Sequence, residues 1–205
     1  MRRNFLRPPG TPGEYAADLV RVLGLVSVLA VAVWGTPTHV GVLALSLPAL
    51  LVPRFLGVRA WFDIFYGITV LVAAWSNVLD LYTTVVGWDL LIHFVCTGVI
   101  AVVAYLGLAD LRVVAPPRAA DTPRRAPVVL AVVLGLAVSA VWEMVEWVGW
   151  AFITDDIFVA YSDTIGDMAV GGLGAVCAGV LLASASLREP EASRERRPSA
   201  RSIAT

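Results

Sequence analysis

The sequence predicts an all-α protein, a polytopic membrane bundle of about six transmembrane helices with both termini in the cytoplasm. Three observations carry that reading. Of 205 residues, 59% are hydrophobic and only 15% are charged, less charge than a soluble domain of this size carries; the mean hydropathy is +0.80. The apolar residues form runs approaching the roughly 20 needed to cross a ~30 Å hydrocarbon core. The basic residues, all of them arginine, fall in alternate connections between those runs.

Residues 1–16 are a polar lead. Ala30-Val31-Ala32 has the small-residue pattern of a signal cleavage site, but the long lead and Arg21 favour an uncleaved first helix. The spans are expected at 17–35, 38–56, 61–79, 89–109, 127–150 and 165–186, a transmembrane domain over 17–186. Pro48 and Pro53 interrupt the second span and Arg54 ends it, so a kinked helix is expected there. A charged, Pro-rich loop, "RVVAPPRAADTPRRAP", separates spans four and five, and residues 187–205 read as a disordered cytoplasmic tail.

Orientation follows from the arginines. Arg2, Arg3, Arg7 and Arg21 precede or begin span one, and Arg54 and Arg59 lie between spans two and three. Arg112, Arg118, Arg124 and Arg125 lie between four and five, and Arg188, Arg194, Arg196, Arg197 and Arg201 follow span six. An N-in, C-in arrangement places all of them on the cytoplasmic side, where basic residues accumulate. They have no aromatic platform among them, so no nucleic-acid module is indicated. Cys96 and Cys177 fall inside spans without a C-x-x-C neighbour and read as small buried hydrophobes.

Eight of the sixteen acids segregate oppositely. Asp80, Asp89, Glu143, Glu146, Asp155, Asp156, Asp163 and Asp167 all map to the outer side, as do His39 and His93, with no arginine facing them. Trp34, Trp75, Trp88, Trp142, Trp147 and Trp150 gather near the same face, as an interfacial belt does. Asp89 and His93 are spaced i, i+4 and share a helix face, as do Asp163 and Asp167, and Glu143 and Glu146 do so at i, i+3. At ~1.5 Å per residue, His93 lies roughly 7–8 Å inward of Trp88, Glu143 on the order of 10 Å and Glu146 about 6 Å inward of Trp150, and Asp167 about 6 Å below Asp163. Three helices thus present ionisable groups at one depth.

Carboxylates in lipid are expensive unless they face the bundle interior or a wet cavity. Acids that converge without a basic partner must bind a cation, hold protons or admit water. Plainer roles compete. Asp89 and Asp163 sit near helix N-termini, where a carboxylate caps free N–H groups; Glu143 and Glu146 sit near a C-terminus, where it does not. His93 alone would read as a hydrogen-bonded core histidine. Asp155 and Asp156 read as solvated loop charges, and Asp63 as the local ion-pair partner of Arg59. Gly171 and Gly174 continue the Asp167 face, and Gly171, Ala175 and Gly179 recur every four residues; such small-residue faces pack closely and turn the acids inward.

The segments "WDLLIHF", "WEMVEW" and "SDTIGDM" resemble the signature segments of the YjdF-type inner-membrane proteins, a bacterial family of unknown function. They look more distantly like the VanZ-like proteins, which pair an Asp-x-x-x-His-Phe helix with a Glu-bearing helix and a later Asp-x-x-x-Asn segment. The chain carries Glu146 where the VanZ-like pattern tends to Gln and Asp167 where it tends to Asn, which places it nearer the YjdF type. The resemblance covers about residues 60–185. It implies a bacterial cytoplasmic-membrane location and a polar centre formed by Asp89, His93, Glu143, Glu146, Asp163 and Asp167.

The expected function is an outward-facing polar site that binds a cation or a polar envelope ligand. A mixed imidazole and carboxylate set suits Mn, Fe or Zn better than Ca. His93, Glu143, Glu146 and Asp167 are the candidate metal ligands, with Asp89 and Asp163 as the supporting network and Asp89 orienting His93. One alternative is a metal-dependent hydrolase or transferase acting on a lipid or envelope substrate, with Glu143 or Glu146 as catalytic base, although no H-E-x-x-H motif or Ser-His pair is present. Others are a small proton-coupled transporter, which would need a polar path through the inner half, and an accessory protein whose polar network only fixes packing. Membrane lipids are the expected surroundings.

Overall fold

Two Thr-Pro pairs start the first two long helices. In the computed structural model, which describes residues 2–154, 157 and 159–188, α1 (Arg2–Phe5) is a single turn, followed by α2 (Pro12–Trp34) and α3 (Pro37–Leu56). The Thr11 hydroxyl accepts the Glu14 N–H at 3.3 Å and the Thr36 hydroxyl accepts the His39 N–H at 3.2 Å. A proline follows each cap, where its missing N–H costs nothing. The Glu14 carboxylate reaches back to the Gly10 N–H at 2.6 Å. These bonds start α2 at Pro12, ahead of the expected position 17, and take Glu14 into the helix.

The helix α3 runs through Pro48 and Pro53 without a break. It ends at Gly57, whose φ of 62° lets the Val58 N–H bond back to the Pro53 carbonyl. Then come α4 (Ala60–Val78), the one-turn α5 (Leu81–Thr84), α6 (Trp88–Asp110), α7 (Arg125–Phe152) and α8 (Tyr161–Ser184). Six of these helices, with 19 to 28 residues each, are long and apolar enough to cross a membrane.

The long helices form two groups of three. In the first, α2, α3 and α4 pack on one another; in the second, α8 packs most extensively against α6 and α7. Among the described residues, the backbones of α7 and α8 approach no helix but α6 and each other, so α6 is the helix that joins the two groups. Residues 97 and 98 of α6 face 171 and 174 of α8 in ascending order, whereas 128 and 135 of α7 face 179 and 175 in descending order. Thus α6 and α8 run parallel and α7 runs antiparallel to both. The core continues from Phe62 and Tyr66 of α4 into Val102, Tyr105, Ala131 and Leu182.

One end of the bundle is basic and internally paired. Arg21 lies well inside α2 and donates to both oxygens of Asp63 at 2.6 and 2.7 Å, to Asp18 at 2.8 Å and to the Leu50 carbonyl at 3.1 Å. One guanidinium therefore ties α2, α3 and α4 together. The carboxylate partner of Asp63 is Arg21 and not Arg59, because α2 brings a guanidinium to it across the helix group; the Arg59 carbonyl instead accepts the Asp63 N–H in the first turn of α4. Arg7 pairs with Glu14. Leu187 and Arg188, at the start of the expected tail, are docked here. The Leu187 carbonyl accepts the Arg59 N–H at 2.8 Å, and Arg188 pairs with Asp110 and donates to the Leu106 carbonyl at 2.7 Å. Residues 189–205, and with them the rest of the tail, lie outside the described residues, as do Asp155 and Asp156.

The cysteines depart from expectation. Cys96 is half-buried and Cys177 is exposed, because Cys177 falls on the opposite side of α8 from its glycine face.

Arg21 and Asp63 are both largely buried, and removing one member of such a pair strands the other charge. Arg21→Met is expected to cost about 3 kcal/mol of stability, measured by unfolding in detergent micelles. The double variant Arg21→Met, Asp63→Leu should recover part of that loss. Equal or greater destabilisation in the double variant would contradict the pairing.

Candidate metal centre

The opposite end carries the acids. There α6 and α8 begin and α7 finishes, and the three are held at unusually short range by small residues. A Cβ added at Gly174 would lie 1.9 Å from the Phe94 carbonyl oxygen, and one added at Gly98 would lie 3.0 Å from the Gly174 carbonyl. At Gly179 an added Cβ would lie 2.5 Å from the Val128 Cα of α7. His93 precedes Phe94, and Asp167 lies two turns before Gly174 on the same face of α8. The backbone contact between α6 and α8 therefore delivers the imidazole and the carboxylate to each other.

His93 is 8% exposed and sits between carboxylates. Its Nε2 is 3.4 Å from Asp89 Oδ1, and its Nδ1 is 3.9 Å from Glu143 Oε1. One ligand atom each from Asp89, His93 and Asp167 lie within 4.8 Å of one another, and so do atoms from His93, Glu143 and Glu146. Ligands of a common ion at ~2.1 Å lie roughly 3–4 Å apart, so small side-chain rotations would close either group around a cation. No arginine pairs with these carboxylates among the described residues.

Several buried polar atoms here have no hydrogen-bond partner. They are Asp167 Oδ1, Glu143 Oε1 and Ser139 Oγ, and Asp167 and Ser139 are each only 2% exposed. An unsatisfied buried carboxylate oxygen costs more than a neutral one. Other atoms are engaged. The Trp142 indole N–H donates to Glu146 Oε1 at 2.8 Å.

Asp163 is half-buried in the first turn of α8 and joins neither three-residue group. The N-cap residues of α6 and α8 are Gly87 and Ala160, and neither helix has a side-chain cap. Asp89 and Asp163 thus do not cap in the strict sense, although each suits the positive end of its helix.

Four neighbours are not among the site residues expected from the sequence, although Trp142 belongs to the expected interfacial belt. Ser139 lies one turn beneath Glu143, and Thr97 one turn beneath His93; counting four residues inward from each site residue would have found both. Trp142 and Tyr82 are the others. The Tyr82 hydroxyl donates to the Ala73 carbonyl at 2.9 Å, and burial holds it in its neutral, donating form by raising its pKa. The Trp88 indole donates to Ser76 Oγ at 2.8 Å and fixes the start of α6 against α4. Deeper still the bundle closes with Ala101, Gly135 and Ala175, where a Cβ added at Gly135 would meet Ala175 Cβ at 2.5 Å.

A family model matches residues 17–188, which takes in every member of this centre. The chain belongs to the family described as predicted membrane protein (DUF2238). This is the family of the YjdF-type proteins. No curated protein and no solved structure matches the chain. In this DUF2238 protein the centre lies wholly within the second helix group, and the first group meets that group through Trp88 and the packing of α4 and α3 on α6.

Gly174→Ala should force α6 and α8 apart and destabilise the protein by about 2 kcal/mol or more, as overpacking does. Gly107→Ala, where an added Cβ meets nothing within 4 Å, serves as the control. Equal melting temperatures for the two variants in detergent would refute the close approach as the element that sets the centre.

Proposed function

We propose that this protein is a cytoplasmic-membrane protein that binds a divalent cation at an outward-facing centre of His93, Glu143, Glu146 and Asp167, with Asp89 orienting His93. The observation that carries the reading is the pair of buried carboxylate oxygens, on Asp167 and Glu143, that have no hydrogen-bond partner among the described residues, the second lying 3.9 Å from the His93 imidazole. A network built only to hold helices together would satisfy those atoms. A cation satisfies them and offsets the repulsion among the acids.

The span of the centre favours an ion over a larger polar ligand, since the ligand atoms within each of its two three-residue groups lie within 4.8 Å of one another. Imidazole with several carboxylates selects Mn, Fe or Zn. The apolar closure at Ala101, Gly135 and Ala175 argues against a proton path running on through the bundle. The outward orientation is supported by the arginines of the opposite end, which belong on the cytoplasmic side. Kinship with the VanZ-like proteins is part of the same proposal and rests on the Asp89 to Phe94 pattern.

Chemistry on a lipid or envelope substrate is the second reading. The bond from Trp142 favours it, because it holds Glu146 beside the other ligands at the edge of α7, where a base would accept a proton from a cation-bound water. Trp142, Met144 and Trp147 are exposed around it, a surface on which an acyl chain would lie.

Binding to the folded state alone stabilises it by ~2.7 kcal/mol at a hundredfold excess over Kd. Adding Mn or Zn to chelator-treated protein should therefore raise its melting temperature by several degrees. Asp167→Asn should remain folded and show little or no rise. Identical melting curves for the wild type with and without Mn, Fe and Zn would sink the reading.

A further inference from the structure

The imidazole of His93 has carboxylates at both nitrogens, and the two groups of potential ligands share no other residue. Asp89 and Asp167, from α6 and α8, complete one group; Glu143 and Glu146, both from α7, complete the other. We infer that the centre holds two divalent cations, one on each side of His93, bridged by its imidazole ring. This rests on the cation-binding reading above, extends it from one ion to two, and makes Asp89 a ligand in place of the orienting role given to it there.

Geometry is the first support. Nε2 faces Asp89 at 3.4 Å and Nδ1 faces Glu143 at 3.9 Å. The lone-pair directions of the two ring nitrogens diverge, so an ion bound at one nitrogen cannot reach the other. A single ion would therefore take one carboxylate pair and leave the other pair without it. The unpartnered oxygens are the second support, because each group contains one: Asp167 Oδ1 in the first and Glu143 Oε1 in the second. Asp167 is 2% exposed, and the Glu143 side chain is 10% exposed. Each oxygen is thus nine-tenths or more withdrawn from water, and one ion satisfies only one of them.

Charge is the third. One divalent ion offsets two of the four carboxylate charges and leaves two uncompensated where the dielectric is low. When the second ion binds, it takes the place of the ring proton, which leaves to solvent. The ring then bridges as imidazolate, and the centre carries a single residual negative charge. No bond other than N–H is broken and no electron is transferred.

The α7 pair and the α6–α8 pair should accordingly be separable. Untagged full-length protein, loaded with Mn and desalted, would be assayed by elemental mass spectrometry against protein concentration. The expected result is two ions per chain in the wild type. One should remain in Asp89→Asn, Asp167→Asn and one in Glu143→Gln, Glu146→Gln, each checked for folding by circular dichroism and gel filtration. Paramagnetic resonance of the wild type should show two spin-coupled Mn ions, and both double variants should show the uncoupled signal of one. A single ion in the wild type would overturn the two-position inference and leave the cation site standing. No bound Mn, and none on repeating the loading with Zn or Fe, would overturn both. The wild-type count decides between these outcomes even if a double variant fails to fold.

Discussion

The backbone approach of α8 to α6 is the contact on which the rest of the acidic end depends. At Gly174 there is no room for a side chain, because the Phe94 carbonyl occupies the space. In a membrane, helices gain little from burying apolar surface against each other, so close packing of small residues has to supply much of the attraction. That packing also sets position. His93 and Asp167 lie on the faces that meet at Gly174, and α7 is drawn against them by the contact of Gly179 with Val128 and of Gly135 with Ala175. The polar centre is thus a consequence of where three helices can touch.

The two ends of the bundle solve one electrostatic problem differently. At the basic end, buried charges meet their opposites. Arg21 satisfies Asp63 and Asp18, and Arg188 pairs with Asp110. Nothing there calls for a ligand, and the network reads as a clamp that ties α2, α3 and α4 and docks the end of α8. At the acidic end, four carboxylates and one imidazole converge with no guanidinium among the described residues, and two of the buried oxygens have no hydrogen-bond partner there. An arrangement of that kind is costly to fold unless something positive arrives. The contrast between the ends, within one chain and at similar burial, is the argument for a cation.

The sequence made some of this readable and concealed the rest. Hydropathy placed six helices, because crossing a membrane imposes a length and a composition on each. Their starts were less readable. The Thr11-Pro12 cap moved α2 forward to Pro12, and α8 begins at Tyr161, so Asp163 lies in its first turn. The i, i+4 spacing of Asp89 and His93 and the shared depth of Glu143 and Asp167 pointed to a common region, since helical geometry converts spacing into position. Which helices neighbour each other is not encoded that way. The pairing of Asp63 with Arg21 across the group escaped a reading that looked for partners nearby in the chain. Ser139 and Thr97 were passed over because small hydroxyl residues in an apolar run carry no signal until a carboxylate or an imidazole is known to stand above them.

The central claim is that a metal ion sits among His93, Asp167 and their neighbours. X-ray absorption at the metal edge, on protein loaded with Zn, tests it most directly. The account predicts oxygen and nitrogen ligands at about 2.0–2.1 Å, with the outer-shell scattering of an imidazole that disappears in His93→Ala. A spectrum of fully hydrated Zn without imidazole scattering, or one unchanged by His93→Ala, would contradict it.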